Sequence, residues 1–479
     1  MSRPALYYLL ICFITMCSLF CSPTRATTIT VNTTADDYDT NGNCTLREAI
    51  NAANTNAVVD NCTAGEFGND TIDLTGLSGS ISLNSPMTHI TEDLTITGSG
   101  AGSLLVHANG TGGSIFEINS PGDDQRVNIS GLRITGGDVL GNGAGIYVYT
   151  GDTLNLIYCT VDNNKASLDG GGIINAGTLT LTDCTLMNNT VTQRGGGIMN
   201  ARGTLTITNS TVSGNTSTNG DGGGIYNFDG TVTLINSTIT NNRAINVMGG
   251  GIYNRINSTL MLTDCTVSDN TAGTWGGGIT NGGSMTLANC TVSGNTDGLG
   301  AAGILNQGTT TLINTTVSGN TGNGFRNSAG DLTNAEFTNC TVAFNTGGGI
   351  HIEHPATLKN TIVANNVSDD CSGHDIISNG YNLDSDNTCG FTGTGDLPNT
   401  DPLIGPLRDN GGHTKTHAIQ AGSPAIDAGD NTVCPATDQR GITRPQDGDG
   451  DSKAVCDIGA YELFLSKAMP WIPLLMLDN

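Results

Sequence analysis

Aromatic residues make up only 5 % of this chain and charged residues 13 %. A sequence so poor in large rings cannot build a core of interlocking Phe, Tyr and Trp, and has to bury something smaller and more regular. Basic residues are few: 18 Lys and Arg stand against 43 Asp and Glu, a formal charge of −25 over 479 residues. Such a surface repels phosphate backbones and anionic headgroups, which excludes nucleic acid as a partner. Long apolar runs are missing too. After residue 26 nothing approaches the roughly 20 residues that cross a bilayer, so no transmembrane helix is expected in the mature chain.

The first 26 residues differ from the rest. Arg3 precedes a mostly apolar stretch from Leu6 to Phe20, and Thr24-Arg25-Ala26 places small residues at a cleavage site, the pattern of a secretion signal. The expected location is the exterior or outer surface of a bacterial cell. Of 14 cysteines, Cys12, Cys17 and Cys21 fall in the signal. In an oxidising compartment the pairs Cys44 with Cys62, Cys371 with Cys389, and Cys434 with Cys456 would close short loops.

Glycine is abundant, at 68 residues, and it is periodic. "GGGIMNARGTLTITNSTVSGNT", from Gly195 to Thr216, has close variants at Gly170, Gly222, Gly249 and Gly276. Aligned copies place apolar or small residues at offsets 0, 2, 5 and 7, as in Leu179, Leu181, Cys184 and Leu186, or Leu205, Ile207, Ser210 and Val212. Alternation that skips one residue describes two short strands meeting at a corner with both inner faces buried, and the Ile after the glycines supplies a third. Copies recur every 21 to 28 residues, too short for propeller blades and without the helix of leucine-rich repeats. The expected fold is all-β: a right-handed parallel β-helix solenoid with about three short strands per coil. It spans 70–400, and its most regular repeats lie over about 127–366.

Two asparagine columns accompany the repeat. Asn164, Asn189, Asn215, Asn242, Asn270, Asn295, Asn320, Asn345 and Asn366 stand at offset 10, and Asn175, Asn200, Asn227, Asn254, Asn281, Asn306 and Asn327 follow the Ile by two. Stacked at the ~4.8 Å strand spacing, such amides can bond to one another as a ladder. Cys159, Cys184, Cys265, Cys290 and Cys340 share one repeat position with Ser210, Ser237, Thr315 and Thr361, which marks a small buried side chain rather than a redox or metal site.

A solenoid needs caps. In "CTLREAINAAN", Thr45 and Glu48 have the spacing of a capping box, and Leu46, Ala49, Ile50 and Ala53 share one face of a short helix that would lid the first coil, giving an N-terminal cap over 27–69. "CTLREAI" resembles the Cys-Ser-Leu-Arg-Glu-Ala signature of the CSLREA-domain family of exported bacterial proteins, with Thr45 in place of Ser. The segment "DPLIGPLRDNGGHTKTHAIQAGSPAIDAGD", with "DQRGITRP" and "CDIGAYE", resembles the choice-of-anchor Q domain and defines a C-terminal cap over 401–462. The coils are similar to right-handed β-helix repeats and to the Gly-Gly-Ala-Ile repeats of polymorphic outer-membrane proteins. These resemblances imply an exported, surface-associated protein and bring no catalytic residues with them. The remainder, 463–479, reads either as a sorting segment or as a last strand on the cap.

Three places could carry function. The residue after each repeat Ile is expected to point outward, giving Tyr147, Ile174, Met199, Tyr226, Tyr253 and His351, with Trp275 in an adjoining loop. Aligned rings at Tyr147, Tyr226, Tyr253 and Trp275 could stack on an extracellular glycan or meet a surface protein; the alternative is that they cover strand edges. "QDGDGDSKAVCD" sets Asp447, Asp449 and Asp451 at alternate positions, a spacing that suits structural Ca²⁺ or a plain hydrophilic turn. "SDDCSGHD" holds Asp369, Asp370, His374 and Asp375 beside Cys371, and reads as a solvated disulfide loop. In the tail, His413 and His417 read as cap-packing residues rather than a metal pair. With no convincing catalytic set, the expectation is a non-catalytic display protein needing no cofactor; an extracellular polysaccharide lyase or glycoside hydrolase is the alternative.

Overall fold

The structure, a computed structural model, describes residues 26–464 apart from 111, 121, 123, 329–332 and 375. The segment expected to be a signal, save Ala26, and all of the tail beyond Phe464 lie outside the described residues. Each coil of the solenoid can be followed in the quoted repeat. Thr204–Thr208 runs straight, Asn209 turns the chain at φ 49°, Thr211–Ser213 follows, and Gly214 turns it again at φ 64°. A two-residue strand, Thr216–Ser217, precedes the loop, and Ile225–Phe228 closes the coil. Coils stack in parallel and in register, Leu205 on Val232 on Leu260, and the winding is right-handed, as parallel crossovers require.

Four sheets result, with 14, 13, 11 and 7 strands among the described residues. They are called here the Leu sheet (Thr204–Thr208 and its partners), the Val sheet (Thr211–Ser213), the Ile sheet (Ile225–Phe228) and the short sheet (Thr216–Ser217). The offset pattern anticipates the first three. The short sheet escapes it because two residues show no periodicity. Inside, Leu205, Ile207, Val212 and Ile225 have no exposed surface, as do their equivalents in most coils. Each such side chain contributes roughly 1.5–3 kcal/mol by burial, repeated rung after rung.

Polar columns complete the interior. Asn189 donates its backbone N–H and one amide hydrogen to Asn215 Oδ1, both at 3.0 Å, and its second amide hydrogen to Val161 O at 2.9 Å. The second column bonds likewise, Asn175 Nδ2 to Asn200 Oδ1 at 2.7 Å and onward to Asn327. A third column was legible only as small and buried. The Cys184 N–H donates to Ser210 Oγ at 2.9 Å, and the Ser210 N–H to Ser237 Oγ at 3.2 Å, while each thiol or hydroxyl turns back to the carbonyl two residues earlier. Thiol and hydroxyl are interchangeable there because either can donate and accept.

Both ends are bonded into the coils. Thr28–Thr30, in the segment expected to be cap, is the first strand of the Leu sheet and pairs with Asp70–Asp73. Helix α1 (Leu46–Thr55) carries the expected capping box, with the Glu48 N–H donating to Thr45 Oγ1 and the Thr45 N–H to Glu48 Oε2. Arg47 is buried as well, its guanidinium held by both Asp36 oxygens and by Ser85 O and Pro86 O. The C-terminal cap lies along the side of several coils. Thr291, Asn314, Thr316, Asn339, Thr341 and Asn360 all bond to cap residues between Lys415 and Ala460.

Candidate functional site

The outer face of the Ile sheet carries the densest set of rings and cations. Register aligns Glu117, Tyr147, Ile174, Met199, Tyr226, Tyr253, Thr280, Leu305, Arg326 and His351 in one column. They project from the outer side as expected, but they are not a bare stripe: Tyr226 is only 4 % exposed, and Ile174 and Met199 are buried beside it. The cause is the glycine turn. Gly222 lies so close to Tyr226 Cβ that a Cβ of its own would come within 2.9 Å, and Gly249 sits in the same way over Tyr253. The glycines therefore do more than admit positive φ; they let the loop lie on the column.

Rings in this layer stack on one another and under arginines. Tyr226 and Tyr253 are parallel at 5.2 Å, and Tyr147 and Tyr149 at 4.1 Å. Burial pushes the Tyr253 phenol up to about 12; burial and the nearby Glu117 do the same for Tyr149. Arg194 covers Tyr226 at 5.7 Å and Arg326 covers Trp275 at 4.6 Å. Phe228 lies between two guanidiniums, Arg202 at 5.3 Å and Arg255 at 4.7 Å, and both arginines approach Asp229. Phe228 was missed in the sequence, although its parity with Tyr226 puts it on the same face. At the far end Arg326 pairs with Glu353, and His351 Nδ1 stands 3.0 Å from Ser372 Oγ. Burial, then the Arg326 charge, holds His351 below its ordinary pKa.

The disulfides Cys44–Cys62, Cys371–Cys389 and Cys434–Cys456 are present. The loop around Cys371 is not wholly solvated as expected, since Asp370 is buried. Its Oδ1 accepts from Asn366 Nδ2 at 2.9 Å and from the Asn366 N–H, the two bonds that the next asparagine would accept, so Asp370 ends the ladder. Burial raises its pKa, and Ser385 supplies two compensating donors. Asp375 lies outside the described residues.

The acidic turn is rearranged relative to the sequence reading. Asp447 and Asp449 come together with Asp427, each offering an oxygen within 4.8 Å of the others, a donor set suited to a hard cation. Asp451 is not in that group; it accepts from the Lys453 N–H and lies 3.4 Å from Lys453 Nζ. Alternate spacing could not reveal Asp427, which is 20 residues upstream and reaches the turn by accepting from the Gly448 and Asp449 N–H groups. His417 is buried against the Val sheet, and His413 lines a separate cavity of about 340 Å³ with Asp269, Asp409 and Lys415.

No curated protein matches the chain. Among solved structures it is similar to the Azotobacter vinelandii mannuronan C-5 epimerase AlgE4 A-module, at 11 % identity over 65 % of this chain and 90 % of that one, with a TM-score of 0.38. The AlgE6 A-module of the same organism gives 12 % identity, 66 % and 90 % coverage, and a TM-score of 0.37. Pectate lyase Pel9A gives 15 % identity, 92 % and 98 % coverage, and a TM-score of 0.34. Likeness at this level transfers no residue roles. The family described as "Right handed beta helix region" matches residues 227–389.

Proposed function

We propose that the protein is an exported cell-surface β-helix that displays its loops and the outer face of its Ile sheet to bind an extracellular glycan or a surface protein, without transforming it. The observation that carries this reading is the run of guanidinium-covered rings at Phe228, Tyr226 and Trp275, held on a rigid stack of coils. The rings hold the guanidiniums in place, and the exposed Arg202 and Arg255 with Asp229 beside them suit sugar hydroxyls. Glycan-array binding of the secreted protein tests it. The Arg202→Ala/Arg255→Ala double variant is expected to bind about tenfold more weakly, since each guanidinium removed takes away a hydrogen bond to the ligand worth roughly 0.5–1.5 kcal/mol net. Unsaturated products or new reducing ends from a polysaccharide panel would instead support a lyase or hydrolase. Structural Ca²⁺ held by Asp427, Asp447 and Asp449 completes the reading; the thermal midpoint should rise in Ca²⁺ and the rise should vanish in Asp449→Asn, whereas a Ca²⁺-independent midpoint removes the ion from the account.

A further inference from the structure

The C-terminal cap crosses the Val sheet with a hairpin, Ile404–Arg408 and Thr416–Ile419, and leaves a cavity of about 550 Å³ beneath it. That volume is within the range of roughly 300–1,000 Å³ typical of small-molecule sites. At the turn that other coils make on Asn188, Gly214, Asn241, Asp269 or Asn365, the three successive coils under the hairpin have Gly294, Gly319 and Phe344, and all three line the cavity. A Cβ on Gly319 would meet nothing within 4 Å, because the space beside it is the cavity. Phe344 holds φ 58°, a left-handed conformation in which bulky residues are uncommon, and its ring leans on the His417 imidazole at 5.0 Å.

His417 is buried and bridges two oxygens. Its Nδ1 is 2.7 Å from Gly405 O and its Nε2 is 2.8 Å from Ser318 Oγ. A carbonyl oxygen only accepts, so Nδ1 carries the proton; burial favours the neutral ring, and the Nε2 lone pair is left to accept the Ser318 hydroxyl. Neighbouring hydroxyls on the same face also reach the cap, but Thr291 donates to Lys415 O and Thr316 to Gln439 Oε1, neither of which is a base. Ser318 faces a base whose orientation is fixed by a third group, and both residues line the cavity.

We propose that Ser318 and His417 are a nucleophile–base pair for acyl transfer from small esters, with the acyl chain lodged against Phe344, Pro406 and Leu407. Ser318 Oγ bonds to the ester carbonyl carbon as its proton passes to His417 Nε2. The carbon–oxygen bond to the leaving alcohol breaks, and that alcohol takes the proton. Water then attacks the acyl-serine, gives a proton through His417 to Ser318, and releases the acid. Neither the site nor the step depends on the Arg-covered rings of the Ile sheet.

The intact secreted protein, treated with a fluorophosphonate probe and digested for peptide mass mapping, should carry the adduct on Ser318. It should also hydrolyse p-nitrophenyl butyrate. Ser318→Ala should abolish both; Ala343 occupies the register position of Ser318 in the next coil, so alanine fits there, and an unchanged circular dichroism spectrum would confirm the fold. His417→Gln, which can still bond to Gly405 O and Ser318, should lower the rate by about 10²–10⁴-fold through loss of the base. Absence of an adduct at Ser318 on the folded protein, or equal ester hydrolysis by wild type and Ser318→Ala, would overturn the proposal.

Discussion

The regular coils and the C-terminal cap bury polar groups in opposite ways. The coils use neutral side chains in columns: asparagine twice, and thiol or hydroxyl once. The cap buries charges. Asp438 holds Arg440 at 2.6 Å, Arg444 and Glu462 face each other at 3.2 Å with no exposed side-chain surface, and Asp457 is buried among them. Stacking explains the division. A column repeats each group at the ~4.8 Å strand spacing, where neighbouring carboxylates would repel by about 3 kcal/mol at an effective dielectric near 20. An amide both donates and accepts, so it can be repeated without limit. Charges therefore stand singly rather than in columns: Arg444 and Glu462 pair in the cap, and in the coils the buried Asp162 is held by Arg133. Asp370 obeys the same rule, since it sits at the end of a column and has one asparagine below it.

The largest effect is expected from breaking a column in its middle. Asn215→Ala strands the Asn189 N–H and amide, which both donate to Asn215 Oδ1, and leaves Leu186 O without its donor. With each buried orphan costing about 1–3 kcal/mol, a loss of roughly 3–5 kcal/mol is expected in urea unfolding. Hydrogen exchange should show the weakening spread to the coils on either side, leaving the cap protected. A cost below about 1 kcal/mol would mean that the ladder is not what holds the coils together.

The cap should instead respond to pH. Burial, with the neighbouring Glu462 charge, pushes Asp457 up to about 8. A carboxyl with its folded pKa above its unfolded value binds a proton in the native state that the unfolded chain has already released. Native stability therefore falls as pH rises from near 4 towards 8, and the loss is complete above that. Exchange rates in 425–464, corrected for intrinsic pH dependence, should rise between pH 5 and 9, whereas those in 203–220, which hold no titratable side chain, should not. Asp457→Asn, which resembles the protonated acid, should flatten the profile of the cap. Parallel behaviour of the two regions would erase the distinction drawn between them.

The same division decides what could be read from the sequence. Periodicity exposes whatever every coil must satisfy, so the strands at offsets 0 to 7, both asparagine columns and the buried thiol position were legible, and so was the Thr45–Glu48 box. Features that occur once leave no period. The Arg47–Asp36 pair, the ladder-ending role of Asp370, the joining of Asp427 to Asp447 and Asp449, and the meeting of Ser318 with His417 across 99 residues all depend on the folded chain. The ring column was legible in direction but not in cover, because the loop that lies on Tyr226 and Tyr253 at Gly222 and Gly249 leaves no mark in the spacing of the rings.

The smallest effect tests whether a column cares about chemistry or only about shape and bonding. Cys184 accepts from the Cys159 N–H at 3.5 Å and turns its thiol to Thr182 O at 3.2 Å; Ser210, one coil on, makes the second bond with a hydroxyl at 2.7 Å. Cys184→Ser should therefore keep both bonds and forfeit only the difference in size between sulfur and oxygen, for a change under about 1 kcal/mol in the unfolding free energy from urea titration. Cys184→Ala removes the acceptor and leaves the Cys159 N–H buried without a partner, which should cost about 1–3 kcal/mol. The order of the two variants matters more than either value. If alanine proved as harmless as serine, the column would be a row of small side chains and nothing more, and the hydrogen bonds along it would be incidental to the stacking of the coils.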